Sequence, residues 1–123
     1  MPTIEITSTE HWVDTGITLE AGKTYEFVAS GEWKDASIVT GPNGYESVNL
    51  LQKTTENLRR MPHARWFALV GALDRRKETT FLIGSTLRYT AKESGELTCF
   101  ANDLIGFYVN NHGSVTLSVQ EPA

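Results

Sequence analysis

The sequence predicts an all-β protein, a small antiparallel β-sandwich or jelly roll, on three observations. Apolar and polar residues alternate in short runs along most of the chain. Gly, Asn, Asp, Ser and Lys interrupt those runs at short intervals, and only one stretch has helical spacing. A period of two puts every second side chain on one face, and two such sheets bury each other's apolar faces. With 123 residues, 40% hydrophobic and 21% charged, the chain has the size and composition of one soluble domain, residues 1–123.

The elements follow in order. Ile4 and Ile6 alternate with Thr3, Glu5 and Thr7, and Ile17 and Leu19 with Thr18 and Glu20. "EAGK" turns the chain into "TYEFVASGEW", dense in β-formers. Later strand runs are "RWFALVGAL", "TTFLIG", "LRYTA", "GELTCFA" and "SVTLSVQ". In the last, Val115, Leu117 and Val119 face one way and Thr116, Ser118 and Gln120 the other. "SVNLLQKTTENLRRM" is the helical candidate, with Leu50, Leu51 and Leu58 forming a short apolar stripe and Met61 just beyond. Trp12 and Trp66 lie in strand-like surroundings and read as core.

Charge and cysteine content narrow the function classes. The formal net charge of −4 and the absence of a basic stripe argue against nucleic-acid binding. Arg59-Arg60 and Arg75-Arg76-Lys77 are the basic clusters, and each reads as a short solvated loop. Cys99 is the single cysteine, so no intrachain disulfide forms, and its apolar neighbours predict a buried thiol. The opening "MPTIEITSTEHW" lacks the basic start and apolar run of a secretory signal. No apolar stretch approaches the ~20 residues of a membrane span. The expectation is no membrane insertion, and a chain that is cytoplasmic, secreted without a conventional signal peptide, or one module of something larger.

The chemistry concentrates in "NDLIGFYVNNHGSV", residues 102–115. Asp103 ends one strand, and Asn110 and Asn111 open the next. Antiparallel neighbours joined by a tight loop bring these ends together, and Gly106 permits the bend. Carboxylate, amide and carbonyl oxygens so gathered suit a calcium ion, which takes roughly six to eight oxygen ligands. The same residues would equally make a turn or bulge capped by Asp103, without an ion. The spacing of an EF-hand loop is absent.

The stretch resembles the C-terminal calcium loop of the LecA-like family, the PA-I type galactophilic bacterial lectins. Their pattern, Asn-Asp-x-x-Gly-x-Tyr-x-Asn-Asn-x-Gly-Ser, is met at Asn102, Asp103, Gly106, Tyr108, Asn110, Asn111, Gly113 and Ser114. "LEAGKTYEFVASGEW", "TGPNG", "ARWFALVGAL" and "FLIGSTLRYTAKESGELTCFAND" are similar to upstream strands and turns of that family. The resemblance covers the chain from about residue 15 onward. It implies a galactose-binding-domain-like β-sandwich holding Ca2+, which bridges protein to a galactose-type sugar. Carried over by position, the metal ligands would be the side chains of Asp103, Asn110 and Asn111, the Phe107 carbonyl, and a carbonyl at Asp35 or within one or two residues of it. These supply roughly five or six oxygens and leave positions for two vicinal hydroxyls. Asp103, Phe107 and Asn110 would also touch the sugar. The family's lectins oligomerise, so a dimer or tetramer is expected.

The pattern departs from the family after its Gly-Pro turn. Where the family carries a sugar-contacting histidine and glutamine, this chain reads "GPNGYESVNLLQK", with Tyr45, Glu46 and Asn49 as candidate replacements. Phe107 adds an apolar wall to the loop. Trp33, near the presumed site, reads either as core or as a platform for a sugar face. His112, beside Asn111, reads as a ligand contact or an exposed loop residue; His11 and His63 lack metal-ligand spacing. Two readings follow: a calcium-dependent lectin, or a β-sandwich whose calcium is structural and whose function lies in protein interaction. An enzyme is not expected, because no Ser/His/Asp, Cys/His or zinc motif is present and Glu93, Glu96 and Asp103 are explained by turns and calcium.

Overall fold

The computed structural model describes residues 2–122. Among them, nine strands form two antiparallel sheets. The first sheet holds β1 (Thr3–Thr7), β3 (Thr24–Asp35), β4 (Ile38–Thr40), β7 (Thr86–Thr90) and β9 (Asn111–Gln120). Its order is β1-β9-β3-β4, with β7 pairing the early half of β3 and β4 its end. The second sheet has the order β2-β8-β5-β6, from β2 (Val13–Leu19), β8 (Gly95–Ala101), β5 (Leu69–Leu73) and β6 (Phe81–Leu82). The all-β sandwich expected from the alternation is the fold observed.

The core fills the space between the sheets. Phe27, Ala29 and Trp33 of β3 and Val115, Leu117 and Val119 of β9 meet Leu69 and Leu73 of β5 and Leu97 and Cys99 of β8. Fully burying a large side chain such as Trp33 or Phe27 contributes about 1.5–3 kcal/mol each. Trp33 is wholly buried, and its indole N–H donates to the Phe67 carbonyl over 3.1 Å. It is therefore core and not a platform. Burial drives the Cys99 thiol pKa upward, which leaves it an inert packing group.

Several elements differ from the sequence reading, each for a local reason. The helical stretch is the turn or two its pattern allowed, α1 (Leu50–Thr54) followed by a 3-10 turn at Glu56–Leu58, but its leucines do not pack as a stripe. Asn49 caps α1, and Leu50, Leu51 and Leu58 are exposed, so no apolar stripe anchors a longer helix. "RWFALVGAL" enters β5 only at Leu69, because Phe67 takes a left-handed backbone (φ 61°). Trp66 is buried as expected, whereas Trp12 is only partly covered, edge-on to Phe100 and beneath the Arg60 guanidinium. Arg59 and Arg60 are half-buried and stack on aromatic rings, unlike the solvated loop foreseen for them. No helix among the described residues is long and apolar enough to cross a membrane.

One glycine fixes the approach of the connection to the sheet. The turn Gly41–Gly44 closes with a 3.0 Å bond, after which Tyr45 and Trp66 exchange backbone bonds of 2.9 and 3.0 Å. Gly44 has φ 75°, and a Cβ there would collide with the Trp66 carbonyl and lie 2.6 Å from the Ala68 nitrogen. Gly44→Ala is expected to lower unfolding free energy by at least ~2 kcal/mol in urea denaturation, since both backbone strain and a steric clash are introduced.

Candidate functional site

The β3–β9 ladder is unbroken from Glu26↔Gln120 to Asp35↔Asn111, so Asp35 and Asn111 face each other at its end. Beyond that pair, Ala36 turns left-handed (φ 54°) and donates its N–H to the Asn110 carbonyl over 3.1 Å. Asp103 arrives from the other sheet, two residues past the end of β8. Asn102 sets its position: its side chain bonds the carbonyls of Met61, Ala64 and Arg65 and the N–H of Met61, while its backbone bonds Ala68 and Phe67. A 3-10 turn at Ile105–Asn110 closes the loop, anchored by buried Tyr108, whose hydroxyl donates to the Ala101 carbonyl.

The structure thus brings Asp35, Asp103, Phe107 and Asn110 to the walls of one cavity of about 250 Å³, with Asn111 packed behind Asp103. Asp103 is 3% exposed. One of its oxygens accepts the Leu104 N–H at 2.7 Å and the other the Asn111 amide at 3.2 Å. Burial pushes the Asp103 carboxyl up to about 7, and the Asp35 carboxylate adds to the rise; the bonds from Leu104 and Asn111 oppose it. No Lys or Arg lines the cavity. Two carboxylates therefore share a hollow without a protein cation.

Asn111 supplies the second signature. Its amide nitrogen donates to the Ser8 carbonyl (2.8 Å), a pure acceptor that fixes the orientation of the group, and also to Asp103. Its Oδ1 is then buried without a hydrogen-bond partner. Such an orphaned acceptor beside an unneutralised carboxylate is the electrostatic complement of a cation. No group of three or more His, Cys, Asp and Glu gathers among the described residues, so amide and carbonyl oxygens must make up most of the donor set. All-oxygen donors suit a hard cation such as Ca2+.

The remaining expected residues are placed differently. Asn49 lines the cavity, but its side chain accepts the Gln52 N–H at 2.8 Å as the cap of α1. Tyr45 stands behind the wall: its hydroxyl donates to the Asp35 carboxylate and accepts from the Gln52 side chain at 2.7 Å. Burial, followed by Asp35, drives the Tyr45 pKa upward, so it remains a donor. Glu46 is not brought to this cavity; it is exposed and lies 4.0 Å from Arg65 beside a separate hollow. Asp35 is strand-paired with both Ile38 and Asn111, and it and the adjacent Ala36, which follows the ladder's last pair, both line the cavity. Sequence reasoning missed Gln52, Ile38, Leu51 and Trp66 as cavity walls. Of these only Gln52 carried a signal, as an amide in the segment where the resemblance asks for one.

No family profile matches the chain, and no curated protein does. A solved structure described as the EclA N-terminal domain, a PllA-like lectin, is similar in fold, with a TM-score of 0.74 at 21% identity over 98% of this chain and 95% of that one. The β-sandwich of this chain is thus an architecture that a lectin domain also adopts.

The raised Asp103 pKa sets a pH dependence. Unfolded, the group titrates near 3.8, and folded near 7, so between those values the metal-free folded chain retains a proton that the unfolded chain has lost. Stability therefore falls as pH rises from about 4 to about 7 and stays reduced above that. Asp103→Asn removes the penalty. In chelator at pH 8 its Tm should exceed that of the wild type by about 5 °C or more, the gap closing as pH falls toward 4.

Proposed function

We propose that the chain is a calcium-dependent carbohydrate-binding protein, and that its sugar is of the galactose type. The carrying observation is the buried, partnerless Asn111 Oδ1 beside the desolvated Asp103 carboxylate. Under this reading the cation is held by the side chains of Asp103, Asn110 and Asn111, by the Phe107 carbonyl, and by the Asp35–Ala36 segment. A calcium ion bound there supplies open coordination positions that two neighbouring sugar hydroxyls can fill, replacing two waters at once.

The chain's own groups then orient the sugar. Asp103 and Asn110 can accept hydrogen bonds from the hydroxyl protons, so oxygen and proton of each hydroxyl are read together. Phe107, Leu51 and Ile38 offer apolar surface at the mouth for C–H faces, Phe107 being 53% exposed. Asn49 and Gln52 also line the cavity, from the segment where the resemblance places contacts to a primary hydroxyl. The preference for galactose rests on the 102–114 pattern, and the fold shared with a lectin domain supports only the carbohydrate part of the reading. A shallow single site of this kind binds weakly, which favours assembly into a homo-oligomer for avidity.

Calorimetry tests the reading. One equivalent of calcium should bind, and galactoside heat should appear only with calcium present. Calcium at 100 times its Kd should stabilise the fold by about 2.7 kcal/mol. Asp103→Ala should lose both heats while retaining its circular dichroism. Calcium stabilisation without heat from any sugar would instead mark the ion as structural, and full sugar affinity in chelator would sink the proposal.

A further inference from the structure

A second hollow, of about 430 Å³, is distinguished by its charge. Trp12, Phe100, Leu58 and Ile105 give it apolar walls, and Arg59, Arg60 and Lys77 also line it. No Asp or Glu does. The 103–110 loop serves both places, giving Leu104, Phe107 and Asn110 to the cation cavity and Ile105 to this hollow.

In a chain of net charge −4, a hollow lined by three cations and no carboxylate is a local reversal of the overall charge. Of the six arginines, Arg65, Arg75, Arg76 and Arg88 each pair with a carboxylate. Arg59 and Arg60 pair with none among the described residues, and both are here; Lys77 likewise has no ion pair. The two arginines do have structural work. Arg60 lies 3.5 Å from the centre of the Phe100 ring and 4.7 Å from that of Trp12, and one of its amino groups donates to the Tyr108 hydroxyl at 2.9 Å and to the His11 carbonyl. Arg59 donates to the carbonyls of Glu56 and Pro62. These bonds use neutral acceptors, so they fix both guanidinium groups without neutralising them. The Arg60 Nε and its second amino group bond no protein atom among the described residues. The Lys77 side chain has no hydrogen bond or ion pair among the described residues.

We propose that this hollow is a second ligand site, for a sugar residue that carries a carboxylate, such as a hexuronic acid. Its carboxylate would be taken by the cations, of which the two arginines are held by stacking and so lose little entropy on binding. Its apolar face would lie on Trp12 and Leu58. That the ligand is a sugar rests on the carbohydrate reading of the fold; that it is an anion rests on the hollow alone.

The experiment uses the whole chain in chelator, which silences the cation cavity and keeps the two proposals separable. Sodium glucuronate is titrated while the indole N–H resonances are followed by NMR, buried Trp33 serving as the internal control. The expected result is a saturable shift at Trp12 with a Kd on the order of 1 mM. Glucose should give none, and the exposed-rim variant Lys77→Glu should bind about five- to tenfold more weakly. No saturable shift at Trp12, an equal response to glucose or to sodium sulfate, or an unchanged Kd in Lys77→Glu would each overturn the proposal.

Discussion

The long ladder between β3 and β9 is the constraint from which the site's geometry descends. Ten consecutive pairs fix register over its full length, and a slip of one residue would turn every core side chain outward. Trp33 faces Gly113 in that ladder, and a Cβ at Gly113 would stand 3.2 Å from the Trp33 Cα, so the close approach needs glycine. The buried indole then locks β3 to the second sheet through the Phe67 carbonyl. With register pinned by packing in the middle, the ends are delivered without freedom: Asp35 meets Asn111, and the loop that carries Asp103 must close over them.

That closure leaves electrostatic debt at one point. A carboxylate is desolvated, a second carboxylate stands nearby, and an amide oxygen is buried without a donor. Sandwich cores do not require such a cluster, and each part of it lowers the stability of the metal-free chain. Fold stability is thus spent at the mouth of a cavity, the pattern expected of a binding site. The surrounding order is costly to build as well. Asn102 alone satisfies three carbonyls and one N–H to hold the 61–65 connection against Asp103.

Much of this was legible in the sequence, and the failures have a common cause. Alternation exposed the strands because one face of each is wet. The 102–114 segment exposed the loop because its asparagines, aspartate and glycines are needed at fixed offsets. What escaped were interactions set by distant chain segments. Nothing local announces that Tyr45 will bond the Asp35 side chain, or that Gln52 will bond Tyr45. Glu46 lies outside the cavity, exposed beside Arg65, 19 positions on. Trp12 and the Arg59–Arg60 pair were read as core and as solvated loop, yet Arg60 stacks on Trp12 and Phe100 as it reaches back to the His11 carbonyl, and Arg59 stacks on Trp66.

The Asp35 carboxylate changes how the proposed site would discriminate. One charged ligand would leave a divalent ion strongly positive, so that selection would come from its pull on hydroxyl oxygens. Two carboxylates at the cavity nearly balance that charge and weaken the pull. In return they add acceptors for hydroxyl protons, and acceptors are directional where ions are not. Tyr45 holds one oxygen of Asp35, and Gln52 holds Tyr45, so the other oxygen is presented from a fixed position. Discrimination between sugars would then shift from the metal to this carboxylate. Under the proposed reading, stereochemical selection would then be set by an acceptor at the end of the most constrained strand in the fold.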